Sequence, residues 1–261
     1  MMKNFKITGL SLIGTFLIIV CFSNVQAQPQ SQSQPAREAQ PLPPPPPPLP
    51  PPDPMGGLDL NSKPIERLTP GVFKIGEITM NKDTQAITFP ALVNMDKGLL
   101  EYLIVQSRGK THESLLRTKV EPYHLQIAFL LLGFEGSDRP LLFQGDPEKP
   151  KGDPVEITFN FHNKEGKPTT IKADEWVVKG GEAGLKEAGR MEWVYTGSMV
   201  RDNRFQAQIE ASIAAIFHDP AAMIDNGSEG GESDKIWFVK EGTVPPVGTP
   251  VIVTIKKKSR K

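Results

Sequence analysis

Cysteine is almost absent from this chain: its 261 residues include only Cys21. A single thiol cannot form an intramolecular disulfide, and it cannot supply the ligands of a cysteine-based zinc site or an iron–sulfur cluster. About 190 residues follow the low-complexity N-terminal part, and a domain of that size buries about 70% of its unfolded surface without a cross-link. The sequence therefore predicts a domain stabilised by its hydrophobic core, and no cofactor is assigned to it.

Aromatic residues are also scarce, at 7% of the chain, and the formal net charge is zero. The charge is unevenly distributed, because five of the last six residues, 256–261, are basic. Between Gln28 and this tail, 23 basic residues stand against 30 acidic ones. An acidic body with few aromatic side chains lacks the basic face of a nucleic-acid-binding protein, so no nucleic-acid partner is expected. The basic tail is interpreted as a solvated chain end, with contact to an anionic membrane as the alternative.

The first 27 residues have the organisation of a secretion signal. Lys3 and Lys6 precede an apolar run that is shorter than the ~20 residues needed to span a bilayer. Small residues at its end predict cleavage between Ala27 and Gln28. An uncleaved leader and a lipid anchor on Cys21 are the alternatives, and either would bring the chain into contact with a membrane. In each case the protein is expected to be exported, to the periplasm, the cell envelope or the outside.

Residues 28–60 are predicted to form a disordered spacer. They begin with a stretch rich in Gln and Ser and continue with residues 41–54, of which eleven are proline. Because proline fixes φ and has no backbone donor, such a run adopts an extended polyproline II rod. The spacer is interpreted as a stiff stalk for the domain at residues 61–255. A docking site for a proline-binding partner is the alternative.

The domain at residues 61–255 is dominated by strand patterns, with one strong helix signal at residues 122–132. Pro122 stands at the first helical position, the following residues are nearly all apolar, and Gly133 occupies the site of a left-handed cap. A helix that is apolar on all sides and too short to cross a membrane must be buried. The predicted fold is therefore α+β: a mostly antiparallel sheet packed against this one buried helix in a single globular domain. Downstream, Asp219 is expected to cap a one-turn helix.

A polar cluster lies between the strand predicted at residues 99–106 and this helix. Its segment Gly109-Lys-Thr111 lacks the upstream glycine of a phosphate-binding loop, and His112-Glu113 lacks the second histidine of a zinc-protease motif. Two interpretations remain open: a hydrogen-bonded turn that satisfies strand-end backbone groups, or a binding site in which His112 and Glu113 act as an acid–base pair or hold a metal or anion. No catalytic residue and no metal ligand is assigned. The candidate binding residues are Arg108, Lys110, His112, Glu113 and Ser114.

Several short motifs, taken together, resemble the YdjY-domain family of exported bacterial proteins. The resemblance covers about residues 71–255, and the order of the motifs is more specific than any one of them. It implies export or membrane attachment and assigns no molecular activity. Some members are labelled ferredoxin-like because of cysteine clusters, but this chain has no cysteine after Cys21, so cluster-based electron transfer does not carry over. The motifs are Leu99-Leu-Glu-Tyr-Leu-Ile-Val, Gly109-Lys-Thr-His-Glu-Ser-Leu-Leu, Pro122-Tyr-His-Leu-Gln-Ile-Ala-Phe-Leu-Leu-Leu-Gly, Asp219-Pro-Ala-Ala-Met-Ile and Val244-Pro-Pro-Val-Gly-Thr-Pro-Val251.

The sequence therefore predicts an exported, non-catalytic module that binds an envelope component or a small ligand. The alternative is an enzyme or a metal-dependent site built around His112 and Glu113, which lie in the most recognisable motif of the family. Geometry distinguishes the two, because the alternative requires these side chains to converge in a pocket with a third polar partner.

Overall fold

The computed structural model of the protein describes residues 65–181 and 184–258, all of which belong to one compact unit. The predicted leader (1–27), the spacer (28–60) and residues 259–261 of the tail lie outside the described residues. Within the described ranges the chain forms 17 strands and two α-helices of 10 and 5 residues. No helix among these residues is both long and apolar enough to span a membrane.

The strands are numbered in chain order and the two helices follow the same rule. The helices are α1 (Pro122–Leu131) and α2 (Gln206–Glu210). The strands are β1 (Ile65–Thr69), β2 (Val72–Ile75), β3 (Ile78–Asn81), β4 (Ala86–Val93), β5 (Tyr102–Gln106), β6 (Ser114–Thr118), β7 (Asp153–His162), β8 (Pro168–Lys172), β9 (Val177–Lys179), β10 (Lys186–Glu187), β11 (Trp193–Tyr195), β12 (Val200–Arg201), β13 (Arg204–Phe205), β14 (Ser212–Ala215), β15 (Ile224–Asn226), β16 (Trp237–Val239) and β17 (Pro250–Lys257).

Eight of these strands close into a barrel. Their order is β4, β17, β7, β11, β15, β14, β5 and β6, and β6 pairs back with β4 at Leu92↔Arg117 and Val93↔Leu116. The pairs β5–β6 and β14–β15 are parallel, and the other barrel pairs are antiparallel. Strands β4, β7 and β17 alternate buried and more exposed residues, so one face of each fills the interior with apolar side chains. The inward residues of these three strands are Ile87, Phe89, Ala91, Val93, Val155, Ile157, Phe159, Val251, Val253 and Ile255.

The predicted α+β arrangement of a sheet packed against the helix at 122–132 is therefore wrong. The alternation of apolar residues located several strands well, including β4 at Ala86–Val93. Alternation does not specify which strands pair, however, because a sheet and a closed barrel have the same period of two. The pairing of β6 with β4 closes the barrel. No local pattern in the sequence indicates it.

Helix α1 has the predicted ends. Pro122 is at its start, and Gly133 follows its end with a φ of 72°. The N–H groups of Phe134 and Gly133 donate to the carbonyls of Phe129 (3.1 Å) and Leu130 (3.0 Å), which is the Schellman arrangement of a left-handed helix cap. These bonds satisfy carbonyls that the helix itself leaves unpaired.

The sequence predicted that helix α1 is buried on all sides, and this prediction is wrong. Leu130 and Leu131 are 60% and 44% exposed. The opposite side of the helix joins the main core through Leu125, Ala128 and Phe129, and the Phe129 ring stacks on Tyr195 of β11 with centroids 4.4 Å apart. An apolar stretch tells which side chains can be buried, but the surrounding elements decide how many are covered.

The chain between β5 and β6 positions the predicted polar cluster. Parallel neighbouring strands usually need a crossover of a dozen or more residues, but here only residues 107–113 connect them. This segment runs back along β5, from its end at Gln106 to its start at Tyr102. The Arg108 N–H accordingly donates to the Gln106 Oε1 (2.8 Å), whereas the Lys110 ammonium reaches the Tyr102 hydroxyl (2.7 Å). Arg108 and Lys110 therefore lie at opposite ends of β5, although they are only two residues apart in the sequence.

Candidate functional site

A chain of buried hydrogen bonds starts at Lys110. The Lys110 Nζ donates to the Tyr102 hydroxyl at 2.7 Å, and that hydroxyl donates to the Asp219 Oδ2 at 2.7 Å. The ammonium also lies 5.0 Å from the centroid of the Tyr102 ring. Ser212 donates to the same Asp219 oxygen at 3.3 Å, and the Ala221 N–H donates to Oδ1 at 2.9 Å. Both carboxylate oxygens of Asp219 are therefore occupied, and Lys110 is fixed at the outer end of the chain.

A second carboxyl group, Asp225, lies behind the first. The backbone N–H groups of Asp219 (3.0 Å) and Asn226 (2.9 Å) donate to its two oxygens. Asp225 is completely buried, and this burial raises its pKa well above the usual value, with the neighbouring Asp219 acting in the same direction. Burial and the negative charge of Asp219 likewise raise the pKa of the Tyr102 phenol. The phenol therefore keeps its proton and holds Asp219 as a hydrogen-bond donor.

Lys110 and Asp219 lie at the wall of a cleft, here called the Lys110 cleft, with a volume of about 350 Å³. The cleft combines cationic, amide, acidic and apolar side chains, which is typical of sites that fix a ligand in one orientation. Gln144 donates to the Tyr102 hydroxyl at 3.2 Å and so connects the cleft wall to the buried chain. The lining residues are Lys110, Leu142, Phe143, Gln144, Met199, Arg201, Gln206, Glu210, Asp219, Pro220 and Ala221.

Leu142 and Phe143 form an apolar lip on the cleft. They are 76% and 56% exposed, although they are neighbours on a loop with a fixed backbone. The Leu142 N–H donates to the buried Asp146 carboxylate (2.9 Å), and the Gly145 N–H donates to the His218 carbonyl (2.8 Å). Backbone hydrogen bonds from Leu142 and from residue 148 hold the pKa of Asp146 below its usual value. Anchored loops that expose large apolar side chains are typical of binding surfaces.

The buried His218 ring stiffens the base of this loop. Its Nδ1 lies 2.6 Å from the Asp146 carbonyl oxygen, and its Nε2 lies 2.7 Å from the Asn226 carbonyl oxygen. Each ring nitrogen therefore lies within hydrogen-bonding distance of a backbone carbonyl oxygen. The ring thereby ties the loop at 142–146 to β15.

Glu113 and Glu101 form an acidic pair next to Lys110. Burial raises the pKa of Glu101, and the negative charge of Glu113 raises it further, while Lys110 opposes the shift. The His112 Nε2 lies 3.3 Å from the Glu113 Oε2, but the His112 side chain is 77% exposed. His112 is not among the residues that line the Lys110 cleft. The predicted acid–base pair exists as a contact, with only its glutamate turned towards the other polar groups.

Arg108 belongs to a separate network. Its two terminal nitrogens donate to the two Glu121 oxygens (2.9 and 2.7 Å), and one of them also donates to the Gln208 carbonyl (3.2 Å). The Gln208 Nε2 donates to Glu121 at 2.7 Å, and its Oε1 accepts from the Tyr123 N–H at 3.0 Å. This network fastens the start of α1 to α2. Arg108 therefore acts as a structural side chain.

The remaining predicted residues serve the turn itself. Ser114 is buried, and its hydroxyl donates to the Lys110 carbonyl at 2.6 Å. Gly109 packs so closely against Ala211 that an added Cβ would lie 3.0 Å from the Ala211 Cβ and 3.1 Å from its carbonyl oxygen. Among the described residues, no three His, Cys, Asp or Glu side chains are grouped to hold a metal. The enzymatic or metal-dependent alternative at His112 and Glu113 stays a prediction.

Most residues of the site are not apparent from the sequence. Tyr102 was one apolar residue among many in a predicted strand, and Asp219 was expected to cap a one-turn helix. That helix is a turn instead, although the Ala221 N–H does bond to the Asp219 carboxylate. The sequence did contain one signal, since the carboxylates of Asp219 and Asp225 directly flank the apolar residues 220–224. Charged residues are rarely buried unless they are partnered.

The site falls within a recognised domain. The sequence model of the YdjY domain matches residues 78–256, which is more than two thirds of the chain and includes the whole hydrogen-bond chain from Tyr102 to Asp225. Comparisons with curated proteins and with solved structures give no match. The family predicted from the motifs at residues 99–133 and 219–251 is confirmed: the chain belongs to the YdjY domain family.

Proposed function

We propose that this protein is an exported, non-catalytic binding module whose ligand occupies the Lys110 cleft. The single observation that carries the proposal is the apolar lip. Leu142 and Phe143 are 76% and 56% exposed on a loop that Asp146 and His218 hold in place beside a cleft of about 350 Å³. A fixed loop that keeps apolar surface in water loses hydrophobic stabilisation in the free protein, and a bound ligand recovers it.

The buried hydrogen bonds that link Lys110, Tyr102 and Asp219 favour a binding role over a catalytic one. The Tyr102 hydroxyl donates its proton to Asp219 and accepts from both Lys110 and Gln144, which uses all of its bonding positions. Both Asp219 oxygens also have donors. A general acid or base needs a free position directed at its substrate. These groups instead fix the cleft wall, while Lys110 has further N–H groups to offer to a ligand.

The exported location is proposed from the N-terminal pattern. Cleavage after Ala27 would release a chain that begins at Gln28, with residues 28–60 between the start and the domain. The mass of the protein recovered from its native host tests this proposal. A mass that corresponds to Gln28–Lys261 in the extracytoplasmic fraction supports it, and a full-length chain confined to the cytoplasm contradicts it.

Binding in the cleft is tested with a panel of short alkyl probes that share one tail and differ in the head group: hexanol, hexylammonium, hexanoate and hexyl phosphate. Amide chemical shifts of the purified protein are followed during titration. At least one probe is expected to shift the amides of residues 142–145 and 199–201. The double variant Leu142→Ser/Phe143→Ser should abolish these shifts. Val247→Ser changes an equally exposed apolar residue outside the cleft lining and should leave them intact.

Absence of any probe-induced shift at the cleft overturns the proposal. Shifts that remain unchanged in the Leu142→Ser/Phe143→Ser variant overturn it as well, because the lip would then take no part in binding.

A further inference from the structure

We propose that the ligand of the Lys110 cleft is an amphipathic organic anion, with a carboxylate or phosphate head between Lys110 and Arg201 and an apolar tail on Leu142 and Phe143. This inference rests on the proposed binding function and assigns the chemical class of its ligand.

Two cations, Lys110 and Arg201, line the cleft. Among the residues that the structure describes, neither Lys110 nor Arg201 has a carboxylate within 4.0 Å. Within the described part of the chain, the terminal nitrogens of Arg201 have one hydrogen bond, to the Met199 sulfur at 3.4 Å. By contrast, Arg108, two residues before Lys110, is paired in both arms with Glu121. Two cations that line one cleft without carboxylate partners provide the donors for an anionic head group.

Two acidic residues, Asp219 and Glu210, share the cleft with these cations. The two oxygens of Asp219 accept hydrogen bonds from Tyr102, Ser212 and the Ala221 N–H, so they are not available to a cationic ligand. Glu210 is exposed and is the one lining carboxylate without such a set of donors. Among the residues that line the cleft, the charged groups left free are therefore two cations and one exposed carboxylate, while the acidic pair of Glu101 and Glu113 lies next to Lys110 outside this lining.

The Lys110 cleft has both polar and apolar surface. Leu142 and Phe143 follow one another on the lip, while Gln144, the next residue, contacts the Tyr102 hydroxyl that also binds Lys110. The polar and apolar parts of the cleft are thus adjacent along the chain. A volume of about 350 Å³ equals roughly ten to twelve water molecules, which suits a charged head and a short tail.

The same probe panel tests the charge class. Hexanoate and hexyl phosphate are expected to bind at least about tenfold more tightly than hexylammonium, and more tightly than hexanol, because each charge-assisted contact contributes on the order of a factor of ten. Comparison of the two anions separates a carboxylate from a phosphate head. Arg201→Gln should weaken both anions about tenfold without unfolding the protein, since its side chain is exposed and bonds only Met199.

Two further variants sharpen the result. Glu210→Gln removes the free carboxylate of the cleft and should strengthen anion binding by a few-fold. Lys119→Met is the matched control, because Lys119 is an exposed cation outside the lining of the Lys110 cleft, and it should leave the affinity unchanged.

Equal binding of hexanol and hexanoate at the cleft would overturn the anion assignment and leave the binding function intact. Preferential binding of hexylammonium, or no weakening in Arg201→Gln, would overturn it in the same way. Absence of all binding at the cleft would remove both the inference and the proposed function.

Discussion

The Arg108 network and the Lys110 cleft begin two residues apart in the sequence and differ in how far their hydrogen bonds are satisfied. Arg108 bonds both oxygens of Glu121, and Gln208 completes that network between α1 and α2. The Lys110 ammonium has a single hydrogen bond among the described residues, to the Tyr102 hydroxyl, and it lines an open cleft. A structural role and a binding role of a cationic side chain can therefore be distinguished only when its hydrogen-bond and ion-pair partners are known.

The Arg108 network and the Lys110 cleft are separated because of the path that the backbone takes between β5 and β6. Residues 107–113 run back along β5, so that the segment passes Gln106 first and Tyr102 last. Gly109 permits this path because its backbone lies against Ala211. A polar cluster that is compact in sequence is therefore divided between two networks in space.

The largest expected effect is the loss of Asp219. Asp219→Ala leaves the Tyr102 hydroxyl, the Ser212 hydroxyl and the Ala221 N–H without their acceptor in a buried site. We expect the free energy of unfolding to fall by about 2–4 kcal/mol in urea denaturation. Glu210→Ala, at the exposed side of the same cleft, should change it by less than about 0.5 kcal/mol. Similar losses of unfolding free energy in the two variants would show that the buried hydrogen bonds of Asp219 do not stabilise the fold.

The second effect concerns Asp225 and pH. Because burial raises the pKa of Asp225, the folded protein keeps a proton that the unfolded chain loses above about pH 4. The stability that this proton provides is complete below that pH and is lost as the pH rises through the folded-state pKa. Its contribution falls by up to about 1.4 kcal/mol per pH unit within this window.

Asp225→Asn, measured by urea denaturation across the same pH range, removes this titration. The difference in stability between wild type and variant should therefore depend on pH. Two curves that stay parallel from pH 4 upward would contradict the assignment of a raised pKa to Asp225.

A smaller effect is expected for the Arg108 network. Arg108→Met should lower the free energy of unfolding by about 1 kcal/mol, because the pair with Glu121 is bidentate but Arg108 is 43% exposed and partly screened by solvent. Burial alone would raise the pKa of Glu121, but hydrogen bonds from Arg108 and Gln208 outweigh it and hold that pKa below 4.5. The contribution is thus present above that pH and is lost as the pH falls through the folded-state pKa. An Arg108→Met penalty that is equal at neutral and acidic pH would contradict this account.

The smallest effect on stability is expected at the apolar lip. Leu142→Ser/Phe143→Ser should change the free energy of unfolding by less than about 0.5 kcal/mol, because both side chains are already exposed. Urea denaturation of the double variant beside wild type measures this difference. A clear loss of stability would mean that the lip is structural and would weaken the argument that it serves a ligand.

The sequence predicted local features well and long-range ones poorly. The ends of α1 at Pro122 and Gly133 and the strand at Ala86–Val93 depend on neighbouring residues, and both were predicted. The closure of the barrel depends on the pairing of β4 with β6, which no short pattern encodes. For the same reason Lys110 was recognised as a candidate, whereas its partners Tyr102 and Asp219 were not. Tyr102 precedes Lys110 in the sequence and Asp219 follows it at a distance of more than one hundred residues, so that only the fold places the three side chains together.

The most direct test of the central claim compares Arg108→Met with Lys110→Met in one hexanoate titration followed by amide chemical shifts. Arg108→Met should keep the dissociation constant within about twofold of wild type, and Lys110→Met should raise it about tenfold, since the lost contact is a charge-assisted hydrogen bond. Equal weakening in both variants, or a larger effect of Arg108→Met, would contradict the division between a closed structural network and an open binding cleft.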